Sequence, residues 1–199
     1  MTTIIDGTSG VTFPAGGVGN PASAVVGLTD TQTLTNKSIV ASQLTGTQNI
    51  PKATLPTGSV LQVVQVTTNS SYSVNSTSWT ATGFTGSITP TSATSKILMC
   101  LSGGQFRYSP SSGQEMWLQV YRSIGGGAYS SLVGDIQEIV ISPANTIMAI
   151  PHSLQYLDSP ATTSAITYQP YMKSNSGPIL SYFNLGSVYV YMTLLEISA

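Results

Sequence analysis

Charged residues are scarce, and this scarcity is the strongest constraint on what the chain can form. They make up 7% of the 199 residues, with 6 Lys and Arg and 7 Asp and Glu, whereas about 25% is usual in soluble proteins. No charge occurs between residues 53 and 95 or between residues 174 and 195. Soluble monomers normally protect exposed strand edges with charges. Two interpretations follow: a neutral β-protein coated with Ser and Thr, or an oligomer whose identical partners cover its apolar faces.

The charge balance also excludes several classes of protein. A net charge of −1 leaves no basic cluster for nucleic-acid phosphates or a polybasic membrane anchor, and no acidic tail. The first residues lack the basic and apolar regions of a signal peptide, and no stretch approaches the roughly 20 apolar residues of a membrane-spanning helix. The single cysteine, Cys100, cannot form an intrachain disulfide, and its apolar surroundings predict a buried structural thiol.

The composition predicts two parts, residues 1–58 and residues 59–199. Before Leu55 the only aromatic residue is Phe13, whereas both Trp and all ten Tyr follow. Because aromatic side chains supply much of the area that a core buries, residues 1–58 cannot build a core alone. Such a segment is either disordered or ordered by an outside surface, and its regularly placed aliphatic residues favour the second. Leu28, Leu34 and Ile39, with small polar residues between them, suit extended segments wound around a three-fold axis.

The second part has the pattern of β-strands. Apolar and β-branched residues recur with a period of two, turn residues separate the runs, and no helical period is sustained. About eight to ten short strands at this spacing predict a two-sheet sandwich or a barrel. The pattern also predicts that Gly103 and Gly104 end the central strand 96–101, and that strand 153–157 pairs with strand 165–172.

The last strand, residues 187–197, has two largely apolar faces. Val190, Met192 and Leu194 lie on one face, and Tyr191 lies on the other with the residues two positions before and after it. A sandwich strand normally shows one polar face to water. We therefore expect the tyrosine face to lie against a neighbouring subunit.

The sequence offers little for catalysis. It has no phosphate-binding loop or dinucleotide fingerprint, and one His with one Cys cannot bind zinc. His152 is predicted in a loop, without the elbow motif of a serine hydrolase. A glycosidase would need two carboxylates facing one cleft. The four carboxylates that could serve are Glu115, Asp135, Glu138 and Asp158. We expect no enzyme, no cofactor and no metal.

Tyrosine and tryptophan are the remaining candidates for a functional surface. Their rings bury area and keep a polar group, which suits both subunit interfaces and stacking on sugar rings. Most of them are expected in the core or at an interface. Tyr108 and Tyr182 lie near loops and are the predicted receptor-binding residues. The other aromatic candidates are Trp79, Trp117, Tyr121, Tyr129, Tyr189 and Tyr191.

Several segments resemble bacteriophage virion proteins. TQTLTNKS at residues 31–38 closely resembles the TQTLTNKT segment of phage tail fibres, and IDGTSGVTFP at residues 5–14 resembles the start of small tail-fibre proteins. In the second part, residues 95–98, 118–122, 165–168 and 193–197 resemble strands of phage C-terminal head domains. Those domains are similar to the trimeric jelly rolls of the tumour-necrosis-factor and complement type.

The resemblance implies a homotrimer in the phage particle, assembled in the host cytoplasm. Residues 1–58 would attach to other virion proteins, and residues 59–199 would form an antiparallel jelly roll that binds a host cell-surface glycan or protein. It implies no catalytic residues, nucleic-acid binding or membrane insertion. The chain lacks the long shaft of a host-range fibre. A capsid decoration protein or head fibre is therefore the alternative to a short tail fibre, followed by a tail adaptor or a glycan depolymerase.

Overall fold

The computed structural model describes residues 4–6, 10–12, 55–108, 114–132, 137–141, 148–174, 181–182 and 188–199. In these ranges every regular element is a strand. The strands are β1 (Ile4–Asp6), β2 (Gly10–Thr12), β3 (Val60–Thr68), β4 (Ser73–Val74), β5 (Thr80–Ala81), β6 (Gly86–Ile88), β7 (Lys96–Tyr108), β8 (Gln114–Ile124), β9 (Ser130–Ser131), β10 (Gln137–Ile141), β11 (Met148–Asp158), β12 (Ile166–Ser174), β13 (Ser181–Tyr182) and β14 (Val190–Ile197).

The chain divides into two compact units, Met1–Asn49 and Ile50–Ala199. In the first unit, β1 and β2 form an antiparallel hairpin in which Ile5 is opposite Val11. The segment 27–39 lies outside the described residues. The predicted roles of residues 1–58 and 59–199 concern assembly and attachment, and they stay predictions.

The second unit contains two antiparallel sheets of six strands each. In the first sheet, β7 carries β11 along one edge and β14, then β13, along the other; β3 lies beyond β14, and β4 lies beyond β13. In the second sheet, β8 and β12 form the centre. Strands β9 and β10 share the outer edge of β8, and β5 and β6 share the outer edge of β12. Each sheet is therefore four strands wide.

The strand pairs are nested along the chain. The outermost pair is β3 with β14, followed by β5 and β6 with β12, then β7 with β11, and finally β8 with β9 and β10. Apart from the short pair of β4 with β13, which lies in the first sheet inside β3 and β14, successive pairs alternate between the two sheets. A long hairpin rolled into two sheets in this way is a jelly roll. The prediction of an all-β antiparallel jelly-roll sandwich is confirmed for the described residues.

The core lies between the two sheets and follows the period of two. In β14, Val190, Met192 and Leu194 are fully buried, while Tyr191 is exposed. The predicted alternation of this strand is therefore confirmed. Each buried aliphatic side chain contributes about 1.5–3 kcal/mol relative to an exposed one. The cluster combines both sheets and includes Ile97, Met99, Leu101, Met116, Leu118, Val120, Ile166, Tyr168 and Met172.

Three local predictions are wrong. Gly103 and Gly104 do not end their strand: both adopt positive φ, and β7 continues through a bulge to Tyr108. At this bulge β7 carries one extra residue opposite Pro151, which has no N–H to donate to the ladder. His152 consequently lies in β11, opposite Gly103, rather than in a loop.

The third wrong prediction is the pairing of strand 153–157 with strand 165–172. In the structure, β11 pairs with β7 in the first sheet and β12 pairs with β8 in the second. The connection 159–165 between them crosses from one sheet to the other, as nested winding requires. A short turn between two apolar runs favours a hairpin in the sequence. In the structure both edges of β12 are taken, one by β8 and the other by β5 and β6, so neither edge is open to residues 153–157.

Candidate ligand-binding surface

The outer face of the second sheet carries a cluster of aromatic side chains around one cation. In β8, Met116, Leu118 and Val120 enter the core, so Trp117 and Tyr121 lie on the opposite face. We call this cluster the aromatic surface. It consists of Trp79, Trp117, Tyr121, Tyr129, Tyr171 and Lys173, all of them half-buried.

The register of β8 and β12 places these side chains in neighbouring rows. Lys173 is opposite Trp117, Tyr171 is opposite Gln119, and the next row contains Tyr121. The rings of Tyr121 and Tyr171 therefore meet on the diagonal, where they stack with centroids 4.0 Å apart and planes at 28°. Diagonal neighbours in an antiparallel pair lie within reach of aromatic rings.

Lys173 lies between two indole rings. Its Nζ is 4.5 Å from the ring centroid of Trp79 and 4.4 Å from that of Trp117. Cations at this distance are attracted by the ring quadrupole, and the attraction grows when water is excluded. The indole N–H of Trp117 is buried and has no hydrogen-bond partner among the described residues. The two rings thus hold a positive charge against their faces.

Two loops complete the surface. Trp79 immediately precedes β5, which pairs with β12 through Thr80 opposite Met172, and its ring lies 6.4 Å from that of Tyr121. Tyr129 follows the turn at Gly125 and Gly126, whose positive φ values of 59° and 76° suit glycine. Its ring lies 6.1 Å from the ring of Tyr171.

Polar groups under and beside the rings are held in place. Gln119 is 4% exposed, and its Nε2 donates to Ser131 Oγ at 2.6 Å; Gln169 is 8% exposed. Burial, followed by the neighbouring Tyr129 and Tyr121, raises the pKa of Tyr171, which keeps this phenol neutral. The surface therefore offers ring faces, amides, hydroxyls and one cation, groups that can contact a polar ligand.

The predicted receptor-binding residues lie elsewhere. Tyr108 ends β7 and Tyr182 ends β13, which are neighbouring strands of the first sheet, with Tyr108 opposite Ser181 and Tyr182 opposite Arg107. Their side chains lie outside what the structure describes, so their role stays a prediction. The structure brings four of the other aromatic candidates together in the aromatic surface: Trp79, Trp117, Tyr121 and Tyr129.

Sequence reasoning missed Tyr171 and Lys173. The available signal was their spacing of two within a strand, which places both on one face. That signal does not show which residues lie beside Lys173. Trp79 and Trp117 precede Lys173 by 94 and 56 positions in the sequence. Only the pairing of β12 with β5 and β8 brings them together.

Of the groups considered for catalysis, the structure describes the side chains of Asp158 and Cys100. Asp158 is buried, accepts from Arg122 Nη1 at 2.6 and 2.8 Å, and accepts from the Tyr168 hydroxyl at 2.8 Å. The Cys100 thiol is half-buried on the outer face of the first sheet rather than in the core, and burial raises its pKa. In the described ranges no three His, Cys, Asp or Glu side chains cluster as metal ligands. No helix in those ranges could cross a membrane.

A cavity of about 440 Å³ lies between the β6–β7 connection and the last residues of the chain. Its lining consists of Leu55, Thr57, Leu61, Thr91, Ser92, Thr94, Ser95, Ser198 and Ala199. These residues supply hydroxyls and aliphatic groups but neither an aromatic ring nor a cation. The aromatic surface is therefore the stronger candidate for ligand binding.

Comparisons with known proteins give two kinds of result. No family model and no curated protein matches the chain. Among solved structures, the chain is similar to the structure of infectious bursal disease virus Gx strain, with 15% identity and a TM-score of 0.41, and to the VP2 subviral particle of infectious bursal disease virus, with 14% identity and a TM-score of 0.41. Each match covers 78% of this chain and 37% of the other, so the chain spans less than half the length of these structures.

Proposed function

We propose that this chain is a structural protein of a bacteriophage particle: a short, homotrimeric tail fibre that binds a host-surface glycan or protein without catalysis. The aromatic surface carries the proposal, because it concentrates the chain's ring faces and a cation on one sheet. The resemblance of residues 31–38 to tail fibres supports the virion assignment, and the jelly-roll winding agrees with a head domain. Residues 1–58 attach this head to other virion proteins.

The chemistry of the aromatic surface favours a sugar ligand. Tyr and Trp side chains combine apolar area with a polar group and are enriched at binding interfaces. Sugars present C–H faces that cover ring faces, and their hydroxyls or acidic groups accept from an ammonium group. Lys173 between Trp79 and Trp117 supplies that charge at a fixed position. Acidic glycans of a bacterial surface are the preferred class.

Competition with phage adsorption tests this function. The purified chain should bind a host-surface polysaccharide and reduce phage adsorption to host cells. Trp79→Ala should weaken both about thirtyfold, since truncating a central aromatic residue of a binding surface costs about 2 kcal/mol. Lys173→Met should also weaken binding, while Lys173→Arg, which keeps the charge over the rings, is the matched control. Circular dichroism checks that each variant folds.

Other outcomes would contradict the proposal in distinct ways. A chain that neither binds cells nor competes with phage, but whose loss weakens capsids, is a decoration protein or head fibre. Release of new reducing ends from the polysaccharide, abolished by a carboxylate substitution, identifies a depolymerase. Equal binding by wild type, Trp79→Ala and Lys173→Met would move the receptor site away from the aromatic surface, towards Tyr108 and Tyr182.

A further inference from the structure

Twelve neighbouring positions on the outer face of the first sheet carry uncharged side chains, and Lys96, at the start of β7, lies on the same face beyond them. Successive partners across β11, β7, β14 and β3 form continuous rows. The first row consists of Leu157, Leu98, Leu195 and Val63; the second of Gln155, Cys100, Thr193 and Gln65; and the third of Ser153, Ser102, Tyr191 and Thr67. We call these twelve positions the uncharged face.

The side chains of this face point away from the core. Their neighbours along each strand are the buried residues, such as Ile97, Met99 and Leu101 in β7. At the two ends of the first row, Val63 is 58% exposed and Leu157 is 49% exposed. These two residues lie on β3 and β11, whose outer edges pair with no other described strand. Soluble proteins usually place Lys, Glu or Pro at such edges.

The face supplies part of the area that a protein interface needs. Four strands about 4.8 Å apart and three rows about 6.8 Å apart, with side-chain margins, cover about 400 Å². A standard interface buries about 800 Å² per partner, so the twelve positions account for about half of one. The exposed Val60, Val188 and Tyr189 add further apolar area near the ends of the same strands.

The scarcity of charged residues indicates which partner covers the uncharged face. Covering the uncharged face with an ordinary protein surface, in which about a quarter of residues are charged, would bury charges without a counterion. A second copy of this chain, with 7% charged residues, offers surfaces that avoid this cost. We infer that the uncharged face is the self-association interface, covered by another copy of the chain. The inference rests on the proposed homotrimer only for the number of copies.

Sedimentation equilibrium at micromolar concentration tests the interface. Wild type should be larger than the 20.7 kDa chain, at about 62 kDa for a trimer. The double variant Val63→Lys, Leu157→Lys adds two charges to the face and should fall to the mass of one chain. The matched control Thr85→Lys, Thr163→Lys adds the same charge at exposed positions outside the face and should keep the wild-type mass.

The Cys100 thiol gives a second measurement that needs no variant. This residue lies in the middle row of the uncharged face and is half-buried in the single chain. A thiol reagent should therefore react several-fold more slowly with concentrated wild type than with wild type diluted below its dissociation concentration. Equal rates at both concentrations would place the interface elsewhere.

Four results would overturn the inference: a monomeric wild type, an oligomer that survives Val63→Lys, Leu157→Lys, equal loss in the control variant, or equal thiol reaction rates at the two concentrations. The proposed function fails separately, because an oligomer that does not compete with phage adsorption contradicts receptor binding and leaves the interface intact. A monomeric wild type that competes with phage adsorption would contradict the interface and leave receptor binding intact.

Discussion

At the scale of single residues, the buried carboxylate of Glu196 holds the β6–β7 connection against the first sheet. The residue is fully buried, and its oxygens accept from the Thr91 N–H at 2.6 Å, the Thr91 hydroxyl at 2.8 Å and Gln62 Nε2 at 2.7 Å. Burial alone would raise the pKa of Glu196, but the bonds from Thr91 and Gln62 and the nearby Ser95 hydroxyl outweigh it and lower this pKa. The Ser95 hydroxyl contributes although it makes no hydrogen bond of good geometry.

This lowered pKa predicts how stability depends on pH. A carboxyl with a depressed folded-state pKa stabilises the fold above its ordinary value, here 4.5, and loses this contribution as the pH falls through the lower folded value. Glu196→Gln should cost about 1–3 kcal/mol near neutral pH, measured by urea unfolding, and the gap to wild type should shrink in acid. Thr91→Val removes the hydroxyl bond but keeps the N–H bond, so it should cost less and weaken the acid dependence without abolishing it. Parallel stability curves for wild type and Glu196→Gln from about pH 7 to about pH 3 would contradict this assignment.

Residue types alone did not reveal these partnerships. Asp158 was a candidate acid because of its type, yet its carboxylate is bonded to Arg122 on β8 and Tyr168 on β12. Burial and the bond to Asp158 strongly raise the pKa of Tyr168, so this phenol stays protonated and donates. The bond joins a strand of the first sheet to strands of the second, and only the winding of the chain brings these residues together.

At the scale of elements, alternation predicted strands well, whereas Gly103 and Gly104 wrongly predicted the end of a strand. β3, β8 and β14 lie where their β-branched and aromatic residues indicated. The bulge in β7 was missed because Gly103 serves a close backbone approach rather than a turn: a Cβ at this position would lie 2.5 Å from the Tyr189 carbonyl oxygen. The same carbonyl accepts the N–H of Gly104 at 2.8 Å.

Two alanine substitutions separate this steric effect from backbone strain. Gly103 and Gly126 have similar positive φ values of 83° and 76°, but a Cβ at Gly126 would meet nothing within 4 Å. Gly126→Ala should therefore cost about 1–2 kcal/mol, the price of a left-handed non-glycine residue. Gly103→Ala should cost clearly more in urea unfolding, because the backbone of Tyr189 must also move. Equal costs would show that the β7 bulge tolerates a side chain.

At the scale of the whole molecule, the two outer faces of the sandwich differ in chemistry. The first sheet presents the uncharged face, and the second presents the aromatic surface with Lys173. The sequence showed that charge was scarce and aromatic residues plentiful, but a period of two cannot tell which strands share a sheet. The wrong pairing of residues 153–157 with 165–172 came from this limit, since both runs suited a hairpin and only nested winding separates them.

The start of the second unit can be located by truncation. Ser198 near the end of the chain accepts the Gly58 N–H with its carbonyl at 2.8 Å and donates its hydroxyl to the Pro56 carbonyl at 2.7 Å. A chain that starts at Ile50 keeps these bonds, whereas one that starts at Ser59 loses both. We expect the shorter chain to be less stable by about 1–3 kcal/mol in urea unfolding, since each bond contributes about 0.5–1.5 kcal/mol.

Proteolysis of the full chain gives the complementary measurement. Because the second unit contains its own core, a protease should remove the first unit and leave a resistant fragment that still includes Pro56 and Gly58. A resistant fragment starting after Ser59, with equal unfolding midpoints for the two truncated chains, would show that the contacts with Ser198 contribute nothing. Full protection of the whole of residues 1–58 in a monomeric chain would contradict the expectation that this segment, which contains one aromatic residue, depends on assembly for its order.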